Sequence, residues 1–198
     1  VQTCALPILW EPLSTNIEKK NYSIGFLGRD YPHKNTKILP AVQSILKKKH
    51  KLNVDFFVTL NDSEWSAKSL EFKDTIHNVG ALSVAQCPSF YDAMDAIIFP
   101  SLLECFSATP LEALAMQKPL FASDRGFVRD VCGDFARYFD PFNPESAADA
   151  IREYISRHEG NDGNRLAAAR EHVLGFSSAR GRAERYLEII RNALAERS

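Results

Sequence analysis

An α/β fold built on a parallel sheet is predicted for this 198-residue chain, and three features of the sequence predict it. Short segments rich in β-branched and aromatic residues alternate with stretches of helical periodicity, the rhythm of successive βαβ units. Several of these segments, Val54 to Leu60 and Ala96 to Phe99 above all, are near-continuously apolar, as strands covered on both faces are. From Pro144 onward the chain reads as helix alone. Crossovers between parallel strands are right-handed, so the expected product is a Rossmann-like, doubly wound parallel sheet of about six strands with a helical carboxy-terminal tail.

Tyr22 to Leu27 (YSIGFL) alternates and breaks at Gly28, giving a first strand. Lys34 to Lys49 follows as a helix with Ile38, Leu39, Val42, Ile45 and Leu46 on one face, and Pro40 inside it predicts a kink or a late start. Val54 to Leu60 is the second strand. Asp62-Ser63-Glu64 supplies helix-start chemistry for a short helix to about Leu70, and Thr75 to Val79 is a short third strand ending at Gly80. Ser89 to Met94 is a short helix leading into the fourth strand, Ala96 to Phe99. A loop from Pro100 to Ala108 precedes a helix opening at Thr109. Pro119 to Ala122 is the fifth strand, Gly126 to Val131 a short helix, and Ala136 to Phe139 a sixth, edge strand. Pro144 to His158, Asn164 to Leu174 and Ser177 to Glu196 close the chain as helices.

This order gives one domain over residues 21–158 and tail helices over 159–198. Residues 1–20 are expected to be a non-native or linker leader. Val1 to Ile8 (VQTCALPI) fits no element and back-translates into a common sequencing-adapter oligonucleotide, so a natural chain would begin further upstream.

Hydrophobic content of 45% and charged content of 25% are ordinary for a globular protein. Lys plus Arg is 24 against Asp plus Glu 25, so no net basic field draws the chain to nucleic acid. Lys47-Lys48-Lys49-His50 reads as a solvated helix end that complements the helix dipole. No apolar run approaches the roughly 20 residues needed to span a bilayer, and no signal-peptide pattern is present. A cytoplasmic location is therefore expected. The four cysteines, Cys4, Cys87, Cys105 and Cys132, lack ligand spacing and read as reduced thiols, with pairing left open. The five histidines are scattered. There is no GxGxxG, no P-loop and no GxSxG elbow, and no D-x-D pair to hold a divalent metal on a diphosphate.

Three loops carry chemistry. After the first strand comes Gly28-Arg29-Asp30-Tyr31-Pro32-His33-Lys34-Asn35, in which Arg29 offers a planar fork and Lys34 a point charge, both suited to phosphate oxygens. Read alone, it is equally an ordinary βα loop with two exposed cations. After the fourth strand, Glu104 and Glu112 stand with seven residues between them around a helix start, where backbone amides and the dipole favour anions. Either carboxylate suits a vicinal diol. Thr109-Pro110-Leu111-Glu112 is also a capping box with proline at the first helical position, a purely structural reading of Glu112, and Glu104 could be a solvated loop acid. The third loop, Val79-Gly80-Ala81-Leu82, could offer backbone to a nucleobase or be a plain turn.

Together, GRDYPHKN, NVGALSVAQCPSFYDAMDAIIFPS and the Glu-x7-Glu stretch ECFSATPLEALAMQKPLFAS resemble the donor-binding domain of GT-B-fold glycosyltransferases. The group concerned is the retaining one, called family four or group one, that includes bacterial mannosyl- and glucosyltransferases and glycogen synthases. The resemblance runs from about Tyr22 to Ile151 and implies half of a GT-B fold. It implies that Arg29 and Lys34 hold the donor diphosphate and offset leaving-group charge without metal. It further implies that Glu104 contacts the transferred sugar, making Arg29, Lys34 and Glu104 the catalytic set. Glu112 would bind the ribose and the amides near Phe106 and Ser107 would face sugar and phosphate. The implied donor-binding set is Gly28, Arg29, Lys34, Val79, Gly80, Glu104, Cys105, Phe106, Ser107, Ala108, Thr109 and Glu112. No cofactor is implied beyond the nucleotide-diphosphate sugar as co-substrate. The acceptor, a sugar, a lipid-linked molecule or a small molecule, would be held by an amino-terminal domain that these residues do not supply. The final helix would pack toward that domain, and peripheral contact with the inner face of a membrane is compatible with this reading. Isolated, the chain is expected to bind nucleotide sugar weakly and not to transfer it.

Two departures stand out. Cys105 and Ser107 occupy positions where the family has glycines, and Asp30 adds a negative charge beside Arg29. A sugar-nucleotide epimerase of the same fold and a degenerate, binding-only module remain alternatives. A flavodoxin-like signalling domain is disfavoured, because no phosphoacceptor aspartate ends the first strand.

Overall fold

The structure, a computed structural model, describes residues 10–158, 162–176 and 179–195. Its sheet has six parallel strands, β1 (Tyr22–Phe26), β2 (Val54–Val58), β3 (Ile76–Asn78), β4 (Ala96–Phe99), β5 (Leu120–Ser123) and β6 (Arg137–Phe139). Their order is β3-β2-β1-β4-β5-β6. Strand order therefore reverses between β1 and β4, which pair in register Ile24↔Ala96 and Gly25↔Ile97. Loops leaving the carboxyl ends of these two neighbours start side by side, at the place where open α/β sheets take ligands.

Both faces of the sheet are apolar because both are covered. Ile24, Phe26, Phe56, Val58, Ile98 and Phe121 face one core, shared with α1 (Leu39–Lys48) and α7 (Pro144–His158). Phe57, Ile97, Phe99, Leu120 and Ala122 face the other, under α4 (Cys87–Ala93), α5 (Ala108–Ala115) and α8 (Gly163–Leu174). Gly25 points at α4. A Cβ there would lie 2.6 Å from Met94 Cγ and 2.8 Å from Phe90 Cε1, both on fully buried side chains. Gly25→Ala is therefore an overpacking change, expected to destabilise by about 1–3 kcal/mol in urea titration. A loss below ~0.5 kcal/mol would show that α4 shifts freely.

Several elements differ from the sequence expectation, each for a local reason. The helix expected from Lys34 begins only at Leu39, after two 3-10 turns at Pro32–Lys34 and Thr36–Ile38. Asn35 between them is left-handed (φ 55°) and interrupts the helix, and Pro40 sits in the first turn of α1, where its missing amide has no consequence. The helix expected from Asp62 to about Leu70 ends at Ser66 (α2, Asp62–Ser66), and a further helix that the sequence reading lacks, α3 (Leu70–Thr75), follows it, opened by Ser69, whose side chain accepts from the Phe72 amide at 3.2 Å. That shortens β3. A 3-10 turn at Val84–Gln86 precedes α4, and α6 (Gly126–Cys132) ends one residue later than expected.

Of the helices that follow β6, α7 belongs to the core through Ala147, Ala148, Ile151 and Tyr154, and α8 packs on α5 with Ala169 buried. The last, α9 (Ala179–Ala195), leaves Tyr186, Leu187, Ile189, Ile190 and Leu194 more than half exposed. Residues 1–9 of the expected leader lie outside the described residues. Beyond them, Leu13 and Ile17 pack on the second core, and Ser89 Oγ donates to the Glu11 carbonyl at 2.6 Å. Among the described residues, no helix is long and apolar enough to cross a membrane.

Candidate functional site

Three loops at the carboxyl edge are stitched together by short polar contacts. The Leu102 amide donates to the His33 carbonyl at 2.7 Å, joining the β4 loop to the β1 loop. Asn35 Nδ2 donates to the carbonyls of Pro100 (3.3 Å) and Pro141 (2.9 Å), adding the loop after β6. Thr109 Oγ1, in the first turn of α5, reaches the Leu27 carbonyl at 3.4 Å. The Gly28 amide donates to Thr59 Oγ1 at 3.1 Å, which ties the end of β1 to the end of β2.

Lys34 and Glu104, 70 positions apart in sequence by their numbers, meet here. Lys34 Nζ lies 2.5 Å from Glu104 Oε1, and the two side chains are only 15% and 10% exposed. Glu104 Oε1 is buried, and its counter-charge among the described residues is this ammonium. The same ammonium stands 5.7 Å from the centre of the Phe99 ring.

Arg29 is turned the other way along the edge. Its Nε donates to Glu64 Oε1 at 2.7 Å, and the guanidinium stays more than half exposed. Glu64 also accepts the Asp30 amide (3.1 Å) and the Asn61 amide (3.0 Å), completing the capping box of α2. Burial pushes the Glu64 carboxyl up, but the Arg29 hydrogen bond and these amides outweigh it and hold it below its ordinary value. Asp30 is not an uncompensated charge beside Arg29. Its carboxylate accepts from Lys68 Nζ at 2.7 Å and from Thr36 Oγ1 at 2.5 Å.

Glu112 does not form the capping box that its spacing from Thr109 suggests. Ser107 is the N-cap of α5 and makes no side-chain cap, so Thr109 lies inside the helix with its hydroxyl on Leu27. Glu112 Oε2 instead accepts from the Tyr91 hydroxyl at 2.7 Å. It also stands near Cys87, one turn earlier on α4. Burial first, and the Glu112 carboxylate second, push that thiol up to about 11.

Cys105 and Phe106 are exposed on the β4 loop, while Ser107 and Ala108 are half-buried where it enters α5. Val79 and Gly80 lie at the end of β3, two strands from β1 and so about 10 Å away across the edge. The Val79 amide donates to Val58 (2.9 Å) and its carbonyl accepts from Thr15 Oγ1 (3.3 Å). Gly80 has φ 90°, which favours glycine, and nothing within 4 Å of where a Cβ would stand. Two cavities of about 470 Å³ lie away from these loops, one between residues 15–21 and β2–β3, the other beside Gln43, Lys47 and Glu71. Of the sequence-predicted residues, only Val79 lines either cavity.

Sequence reasoning assigned no site role to Tyr91, Glu64, Lys68 or Asn35. Glu64 carried a visible signal, the Asn61-x-x-Glu64 capping pattern, which did not reveal its second use on Arg29. Tyr91 carried only its position one turn after Cys87 on a helix.

Residues 11–172 match the sequence profile of the family described as glycosyl transferases group 1. The chain is 26% identical over 140 residues to the O-antigen chain mannosyltransferase RfbU of Salmonella typhimurium, covering 68% of this chain and 38% of that protein. To the D-inositol 3-phosphate glycosyltransferase of Paenarthrobacter aurescens it is 25% identical over 194 residues, covering 91% and 47%. The chain thus spans less than half the length of these curated relatives. It shares its fold with a mutant of S. aureus TarM, solved in complex with fondaparinux, alpha-GlcNAc-glycerol and UDP, at a TM-score of 0.70 and 17% identity over 90% of this chain and 38% of that one. With the profile matched over most of its length, this chain belongs to the group 1 glycosyltransferase family.

Proposed function

We propose that the loops after β1 and β4 form the donor site of a nucleotide-sugar-dependent glycosyltransferase, and that this chain is its donor-binding part. The observation that carries the reading is the Lys34–Glu104 contact at the β1/β4 reversal, beside the start of α5. In this reading, a cation able to hold phosphate and an acid able to hold sugar hydroxyls meet where the diphosphate joins the sugar. Lys34, Arg29 and the first-turn amides of α5 balance the charge that develops on the departing diphosphate, so catalysis is preorganised electrostatics and is metal-independent. On binding, the diphosphate takes the Lys34 ammonium from Glu104 and frees that carboxylate for the sugar. Arg29 leaves or shares Glu64. Glu112 holds the ribose, and backbone near Val79 and Gly80 meets the base. The family resemblance supports a retaining outcome.

Residues 21–158 make up the donor unit in this reading, with 159–198 as tail helices. The exposed apolar face of α9 packs against the part of the protein that binds the acceptor, which is a sugar, a lipid-linked molecule or a small molecule. In this reading the reaction is cytoplasmic, at the inner membrane face where the acceptor is lipid-linked.

The test is a thermal-shift panel of UDP, GDP and ADP with their sugars, followed by a transfer assay on the natural-length protein. One nucleotide should stabilise the chain and its sugar should be transferred. No shift with any of them ends the proposal. Glu112→Gln should weaken the bound nucleotide by about 10- to 150-fold, the value of a charge-assisted contact of roughly 1.5–3 kcal/mol. Calorimetric titration with unchanged affinity would return Glu112 to a packing role.

A further inference from the structure

We infer that Tyr91 is a positioning residue for ribose recognition: its hydroxyl holds the Glu112 carboxylate at the angle that a vicinal diol requires. The inference rests on the donor-site reading and extends it to a residue that never touches the ligand.

Glu112 is half-buried, and its carboxyl group turns about a bond whose torsional preference is broad. A free carboxylate there would sample many orientations. Tyr91 removes that freedom, because the Tyr91 hydroxyl donates to Glu112 Oε2 at 2.7 Å. The donor itself is held firmly. The Tyr91 ring is 2% exposed, packs edge-on against Phe90 with centroids 6.4 Å apart, and belongs to the core beneath α4. The close seat of α4 on β1, which Gly25 permits, fixes the height of the phenol above the sheet. On the other side, the Thr109 hydroxyl anchors α5 to β1 through Leu27. Both partners are thus referenced to the same strand. A carboxylate has about four acceptor sites, so one hydrogen bond from Tyr91 fixes its plane and leaves both oxygens able to accept a hydroxyl.

This arrangement separates the work of Tyr91 from its packing. Tyr91→Phe keeps the ring and deletes one oxygen atom. Take the nucleotide diphosphate of the panel that stabilises the chain most, with its 2′-deoxy and 3′-deoxy analogues, and titrate each calorimetrically. Wild type should prefer the ribonucleotide at least ten-fold over one or both analogues. In Tyr91→Phe the ribonucleotide should lose about five- to twenty-fold, while the analogue lacking the recognised hydroxyl changes less than two-fold, so the preference collapses. Adding Glu112→Gln to Tyr91→Phe should weaken ribonucleotide binding no further than Glu112→Gln alone, since the two act as one unit. Glu112→Asp, which draws the carboxylate back from Tyr91 and leaves the α4 core untouched, is a second variant and should lose the same preference.

Equal losses for ribonucleotide and analogues in Tyr91→Phe, or a preference that survives in Glu112→Asp, would overturn the inference while leaving the donor site standing. Absence of nucleotide binding by wild type would overturn the donor-site reading and this inference with it.

Discussion

On the donor-site proposal, Lys34→Ala should abolish the nucleotide-induced thermal shift, and in the natural-length protein it should lower transfer by two to three orders of magnitude. The first effect is the loss of a charge-assisted phosphate contact, about 10- to 150-fold in affinity. The second would add the removal of a preorganised charge from the place where, on that proposal, the leaving diphosphate becomes more negative, typically ~10²–10³ in rate. Stability falls as well, because Glu104 Oε1 is buried and the ammonium is its counter-charge. Stranding a partly buried charge costs about 1–3 kcal/mol, less than at a dry site because both side chains keep some solvent contact. The two consequences come apart in the double variant. Lys34→Ala with Glu104→Gln removes the stranded charge, so its urea midpoint should recover toward wild type while nucleotide binding stays lost. Affinity within two-fold of wild type in Lys34→Ala would remove Lys34 from the site and leave the pair as a fold contact only.

Much of the fold was legible because burial on both faces writes itself into the sequence. Ala96 to Phe99 is apolar at every position and is β4 as expected. The sixth strand, expected at an edge, pairs among the described residues with β5 alone. Boundaries failed where one side chain overrode the periodic pattern. Ser69 is a cap between two short helices, and Asn35 is a left-handed break ahead of α1. The site was legible in its residue types but not in its pairings. Lys34 and Glu104 touch because strand order reverses between β1 and β4, and no spacing in the sequence encodes that reversal. Conversely, a local pattern misled: Thr109-x-x-Glu112 has capping-box spacing, yet the helix opens at Ala108 and Glu112 turns to Tyr91. Capping-box chemistry appears instead at Asn61/Glu64, where the same glutamate also restrains Arg29.

Asn35→Ala should be among the most destabilising single changes at this edge, by about 2–4 kcal/mol in urea titration. Two independent terms add. Asn35 is 4% exposed, and its amide is the shared donor to Pro100 and Pro141, so its removal leaves two carbonyls short of a partner at about 1 kcal/mol each. Its backbone has φ 55° and ψ 31°, a conformation that asparagine tolerates and alanine occupies at a further cost of roughly 1 kcal/mol. Asn35→Gly separates the terms, since glycine accepts the backbone freely but makes neither hydrogen bond. Its loss should therefore be smaller than that of Asn35→Ala by about the backbone term. Equal losses in the two variants would mean that the left-handed conformation contributes nothing. The effect should also be local before it is global. The Leu102 amide, bonded to His33 two residues before Asn35, should exchange with solvent faster in Asn35→Gly, while the Ile97 amide inside the sheet, bonded to Pro119, keeps its protection relative to global unfolding. Asn35 lies next to Lys34, and Pro100 opens the loop that carries Glu104. A loosened staple thus separates the two charges, and nucleotide affinity should fall in Asn35→Gly even at temperatures where the domain remains folded.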